Sequence, residues 1–163
     1  MRKIRFVCLD WGSTLMSEAG PQDLPMCQWP QVRVIDGARE LLAALAAEYP
    51  LCIASNASLS RRGEIEQALA RGDLLQYISQ VFCFSEIGAQ KSERAFWEVV
   101  TRTLGCSTSE IAMLGDSLEQ DVLGPASHGV FAVWFNPQAA AVPPGTQAIR
   151  RLEDFIPLLR DAG

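Results

Sequence analysis

Apolar residues in this chain fall into short runs that stop at polar residues, and these runs alternate with stretches of helical spacing. In 4–9, only Arg5 interrupts Ile4, Phe6, Val7, Cys8 and Leu9, the pattern of a parallel strand covered on both faces, and the run ends at Asp10. Similar runs at 51–54, 81–84, 111–114 and 130–135 predict four further strands. Between them, Ala38, Leu41, Leu42, Leu45 and Tyr49 recur at helical spacing after Asp36, a candidate N-cap, and Pro50 stops that helix. Ile65, Ala68 and Leu69 predict a second helix over 60–71, closed by Gly72. Phe96, Val99, Val100 and Leu104 predict a third, with Ser92 as candidate cap and Gly105 as stop. A single turn over 107–110 with capping-box spacing, a helix over 118–127 bent or shortened by Gly124-Pro125, and a last helix over 153–160 complete the pattern.

Alternating strands and helices predict an α/β fold: a single Rossmann-like three-layer domain spanning 1–163, with a mainly parallel sheet of five or more strands and right-handed crossovers. Residues 16–34 contain Gly20, Pro21, Pro25 and Pro30 with little periodicity; they read as loop, with a short ordered piece at 26–29, and are too few for a separate domain. Open α/β sheets bind ligands beyond the carboxyl ends of their strands. The polar residues expected at that edge are Asp10, Ser55, Lys91 and Asp116.

Composition narrows the ligand. A length of 163 residues with 48% hydrophobic content suits one sizeable core. A net charge of −5, with basic residues clustered no further than pairs such as Arg61-Arg62 and Arg150-Arg151, argues against nucleic acid or a membrane surface as partner, which leaves a small molecule held locally. Arg5 and Asp10 cut the first apolar stretch below signal-peptide length, and Glu48 and Pro50 interrupt 41–54, so a cytoplasmic protein is expected. Five cysteines without CxxC spacing read as reduced core thiols. His128, the single histidine, speaks against histidine-based zinc sites and phosphohistidine chemistry.

The residue types at the sheet edge suit phosphoryl transfer: a carboxylate can attack phosphorus, a hydroxyl can bind phosphate oxygens, a lysine can offset charge, and further carboxylates can hold magnesium. In order, Asp10-Trp11-Gly12-Ser13-Thr14-Leu15, Ser55-Asn56, Gly88 with Lys91, and Gly115-Asp116-Ser117 with Asp121-Val122 resemble the four motifs of the haloacid dehalogenase (HAD) superfamily. The resemblance runs over 4–136 and implies a hydrolase. It implies Asp10 as nucleophile, Ser55 with Asn56 at the transferring group, and Lys91 as charge balance. It also implies Mg2+ held by Asp10, the backbone carbonyl of Gly12 and Asp116, with Asp121 as ligand or behind the ligands. Lys91 is one of two lysines beside twelve arginines, a choice that suits a compact ammonium. Asp116 as a helix cap, Asp121 as a solvated helix residue, and Ser55-Asn56 as the start of the next helix stand as the structural alternatives.

One position departs from the pattern. Phosphatases of this superfamily usually carry a second aspartate two residues after the nucleophile, as general acid and base, and here that position is Gly12. Loss of such a group costs about 10²–10⁴ in rate. Three readings follow. The first is a magnesium-dependent phosphatase of weak or narrow activity, with Glu18 or Glu119 as substitute acid. The second is a catalytically silent metal- or phosphate-binding interaction module. The third is a phosphonatase- or dehalogenase-like hydrolase, disfavoured because Lys3 is the one lysine besides Lys91 and because Gly115-Asp116 looks like a magnesium-holding motif. With only 16–34 in the place where the family inserts a cap, a capless site is expected, open to a small phosphorylated molecule and closed, on one reading, by a second copy of the chain.

Overall fold

The computed structural model describes residues 2–162. Six strands run in chain order: β1 (Phe6–Leu9), β2 (Leu51–Ser55), β3 (Gln80–Cys83), β4 (Ile111–Gly115), β5 (Phe131–Phe135) and β6 (Gln147–Ile149). The helices are α1 (Ala38–Ala46), α2 (Arg62–Arg71), the single turn α3 (Phe84–Ile87), α4 (Arg94–Leu104), the short α5 (Gly124–Ser127) and α6 (Phe155–Ala162). The strands form one parallel sheet in the order β3-β2-β1-β4-β5-β6. The sheet is therefore Rossmann-like, with β6 added beyond the five strands that hydrophobic runs reveal. β6 is three residues long at an edge, too short and too exposed to carry such a run.

The near-continuous apolar strands are explained by the two cores they separate. Val7, Leu9, Leu51, Ile53, Ala112, Leu114 and Val133 face one way and pack with α1, α2 and α6. Cys8, Cys52, Ala54, Ile111, Met113 and Trp134 alternate with them and pack on the other face with Phe96, Trp97 and Val100 of α4. Cys8, Cys52 and Cys83 are buried thiols of these strands, as expected; all five cysteines are free. No helix of the described residues is long and apolar enough to cross a membrane.

Strand order sets the position of the site. From β1 the chain winds outward through β2 to β3, then α4 carries it back across the sheet to β4 on the other side of β1. The winding reverses between β1 and β4, so the crossovers on either side diverge there and leave a crevice at the strand ends. Asp10 and Asp116 follow those two strands directly.

The starts of α1, α2 and α4 differ from the sequence expectation. Asp36 does not cap α1: Gly37, at φ 85°, is the residue before it, and no side chain caps the helix. Ser92 is likewise not a cap, since Gln90 to Glu93 form a separate turn in which the Glu93 carboxylate accepts the Gln90 N–H at 2.6 Å, and α4 starts at Arg94. The second helix begins at Arg62 rather than position 60, because Ser60 is buried and its carbonyl accepts the Ser85 hydroxyl at 3.2 Å. Residues 56–61 therefore remain loop beside the site.

The 118–127 helix is present but irregular. Its first six residues, Leu118–Leu123, form a wide π-type turn in which the Gly124 N–H reaches the carbonyl of Glu119, and α5 follows. Pro125 has no N–H to give a regular helical bond, so the register shift falls where a bend was expected. Residues 16–34 contain one 3-10 turn, Met26–Gln28. Arg71 fastens this segment to α2, donating to the carbonyls of Cys27 at 3.0 Å and Trp29 at 2.6 Å.

Candidate active site

Asp10 is held at the end of β1 by its N–H, which donates to the carbonyl of Leu114 on β4 at 2.9 Å. Its carboxylate meets the ammonium of Lys91, Nζ to Oδ1 2.7 Å, and the same ammonium lies 2.6 Å from Asp121 Oδ1. Lys91 is only 2% exposed, so this cation has been taken out of water almost entirely. Burial alone would lower its pKa, but Asp10 and Asp121 outweigh that and raise it above the ordinary lysine range.

The backbone of Lys91 is fixed on both sides. Its N–H donates to Asn56 Oδ1 at 2.9 Å, and its carbonyl accepts from the Trp97 indole at 2.7 Å. A buried indole N–H needs a partner, and Trp97, six residues on, finds it here. Asn56 also donates from Nδ2 to Gln120 Oε1 at 2.8 Å, which ties the loop after β2 to the π turn. Ser55, the last residue of β2, is buried, and its hydroxyl accepts the Ala57 N–H at 3.0 Å. Asp10, Ser55, Asn56, Lys91, Asp116 and Asp121 thus gather at one sheet edge.

Asp121 is aimed there by a glycine. A Cβ at Gly115 would stand 2.5 Å from the Asp121 Cβ and would overlap its carboxylate, so the absence of a side chain at 115 makes the space that Asp121 fills. Asp121 Oδ2 accepts the Ser117 N–H at 2.9 Å, whereas Oδ1 accepts no hydrogen bond of normal geometry and faces the Lys91 ammonium.

One hydroxyl to which the sequence assigned no role bridges the acids: Thr14 Oγ1 lies 3.1 Å from Asp10 Oδ2 and 3.2 Å from Asp116 Oδ1. It has one proton to give, so the two carboxylates compete for it. The signal for Thr14 was its place four residues after Asp10 in the first motif, without a role attached. Asp116 is further held by the Trp134 indole, which donates to its carbonyl at 2.9 Å.

Three carboxylates gather around one ammonium, and the excess negative charge shows in the proton affinities of Asp116 and Asp121. Burial, then Asp10, pushes the Asp116 carboxyl up to about 8. Burial and Asp10 likewise push Asp121 up to about 6 against the pull of Lys91. Asp10, Asp116 and Asp121 can each offer an oxygen within 4.8 Å of the others. An all-oxygen set of three carboxylates with a single ammonium against it carries excess negative charge and fits a hard divalent cation such as magnesium. Gly12 is partly buried in the turn beyond Asp10, where it forms a bridge with Met16.

Residues 27–129 match the haloacid dehalogenase-like hydrolase family. The chain belongs to that family. The matched segment includes Ser55, Lys91, Asp116 and Asp121. Over 109 residues the chain is 31% identical to pyrimidine 5'-nucleotidase PynA of Streptococcus pneumoniae, a match covering 66% of this chain and 45% of that protein. The chain spans about half the length of the curated relatives it matches. An uncharacterized protein from Listeria monocytogenes superposes with a TM-score of 0.84 at 22% identity, covering 98% of each chain. The HAD-hydrolase YfnB from Bacillus subtilis, crystallised bound to magnesium, superposes at 0.80 with 17% identity, over 97% of this chain and 99% of that one. At these identities the two structures share the HAD-like fold with this chain.

Two outcomes follow from the HAD-like site as built. In the metal-free protein Asp116 keeps its proton up to about 8, whereas an unfolded aspartate loses it near 4, so stability falls as pH rises through that window. A divalent cation replaces the proton, and the melting-temperature gain on replacing EDTA with magnesium is therefore expected to be larger at pH about 8 than at about 6; equal gains would contradict it. Gly115→Ala forces Asp121 out of its space at a cost of about 1–3 kcal/mol, read by urea denaturation, and removes most of that magnesium gain.

Proposed function

We propose that this chain is a magnesium-dependent phosphatase that passes the phosphoryl group of a small phosphate monoester to Asp10 and then to water. The observation that carries this reading is the buried Lys91–Asp10 pair at 2.7 Å. An ammonium so placed holds the carboxylate in one rotamer, as a nucleophile requires, and also offsets the charge of an approaching phosphoryl group. The name of the pyrimidine 5'-nucleotidase relative supports phosphate-ester chemistry, and nucleoside monophosphates join simple phosphate esters as the first substrates to try.

In this reading Asp10 forms a bond to phosphorus as the bond to the leaving oxygen breaks. Ser55 and Asn56, at the end of β2, receive the non-bridging oxygens, and Lys91 balances the charge that gathers on them. Thr14 keeps Asp10 and Asp116 in register. Magnesium, when bound by Asp10, Asp116 and the Gly12 carbonyl with Asp121 in support, supplies the remaining positive charge, and the magnesium-bound YfnB relative supports that choice of ion. Gly12, in place of an acid, favours one alternative: a binding module without turnover.

Incubation with magnesium and p-nitrophenyl phosphate separates the two, because nitrophenolate leaves without needing a proton. Wild type is expected to release nitrophenolate and to show one added phosphoryl group by intact mass, and Asp10→Asn to do neither. Neither product nor adduct from wild type would leave the binding module as the better reading.

A further inference from the structure

Resting on the phosphatase reading, we infer that Glu18 is the general acid and base of this chain, delivered through a loop to the position that the side chain of residue 12 would otherwise fill. A Cβ built on Gly12 would run into the Glu18 side chain, with Cδ 2.6 Å and Cγ 2.8 Å away, and would overlap the carboxylate itself. The carboxyl group missing from the first motif is thus restored in space by a residue six positions later. Gly12 is the residue that leaves room for it.

Glu18 is held there by several contacts. Ser13 takes a left-handed backbone, φ 60°, uncommon for a residue with a side chain, and from it donates its hydroxyl to Glu18 Oε2 at 2.6 Å. The Ser17 N–H donates to the Arg33 carbonyl at 2.8 Å, and the Gln22 amide donates to the Glu18 carbonyl at 2.7 Å, which pins the backbone on both sides. Gly20 lies directly on the Trp29 ring, so the same loop is packed as well as bonded. Glu18 and Glu119 are both exposed, but only Glu18 has its carboxylate bonded into the turn that follows Asp10; no side-chain hydrogen bond among the described residues holds the Glu119 carboxylate.

The carboxylate also opens onto room for a leaving group. Glu18 lines a cavity of about 240 Å3 together with Trp11, the residue after Asp10, and with Gln22, Met26, Trp29 and Leu59. Two indoles and two aliphatic side chains suit a flat apolar leaving group. The proton account closes over two steps. Asp10 bonds to phosphorus while the Glu18 carboxyl gives its proton to the departing oxygen, which leaves as an alcohol. The Glu18 carboxylate then takes a proton from the water that attacks phosphorus, which frees phosphate, returns Asp10 and leaves Glu18 protonated again.

The test compares p-nitrophenyl phosphate with 2-phenylethyl phosphate, an alkyl ester whose oxygen must be protonated, using wild type, Glu18→Gln and the double variant Glu18→Ala/Gly12→Asp. Product release, intact mass and melting temperature are read together. Glu18→Gln is expected to lose about 10²–10⁴-fold on the alkyl ester, to lose at most about tenfold in the nitrophenolate burst, and to accumulate phosphorylated protein because water attack is slowed. The double variant is expected to regain at least about tenfold on the alkyl ester, since alanine at 18 clears the space that the side chain of an aspartate at 12 needs. Wild type active on the nitrophenyl ester alone, or Glu18→Gln within about threefold of wild type on both esters, overturns the assignment of Glu18 while leaving the phosphatase reading in place. Wild type inert on both, without an adduct, overturns the phosphatase reading and the Glu18 assignment with it.

Discussion

The ammonium of Lys91, enclosed between Asp10 and Asp121, is the constraint on which the site depends. A lysine that is 2% exposed is tolerable only with carboxylates against it, and the three partners arrive from the end of β1, the loop after α3 and the π turn after β4. Removing one member of such a buried set typically costs about 3–5 kcal/mol, because the others are left charged and unpaired. The surrounding features serve this arrangement. Asn56 and Trp97 fix the Lys91 backbone, and Gly115 vacates space for Asp121.

Much of this was legible in the chain because two periodicities report on it directly. Strands buried on both faces read as apolar runs, and each run stops where the chain leaves the sheet, so Asp10, Ser55 and Asp116 could be placed at one edge without coordinates. The misplaced features involve local choices that tertiary contacts decide. Asp36 and Ser92 are good caps by residue type, yet Gly37 turns the chain into α1, and the Gln90–Glu93 turn comes before α4. β6 is an edge strand of three residues whose pairing comes from its neighbour β5 rather than from its own pattern.

Gly12 shows the limit of motif reading most clearly. Position by position, the first motif lacks its second acid, and the inference of a weakened enzyme follows. In three dimensions the vacancy is filled by Glu18, which depends on a left-handed Ser13, a loop packed on Trp29 and the reach of a longer side chain. None of these is a spacing rule, so sequence could nominate Glu18 and Glu119 together but had no means of choosing between them.

The central claim, that Asp10 receives the phosphoryl group, is tested most directly by a crystal structure grown with magnesium and beryllium trifluoride, which forms a phosphoryl-like adduct on a nucleophilic carboxylate. The expected result is beryllium bonded to Asp10, magnesium against Asp10 and Asp116, and Lys91 still within hydrogen-bond distance of Asp10. Beryllium bound to another residue, or an unmodified Asp10 beside bound magnesium, would contradict it.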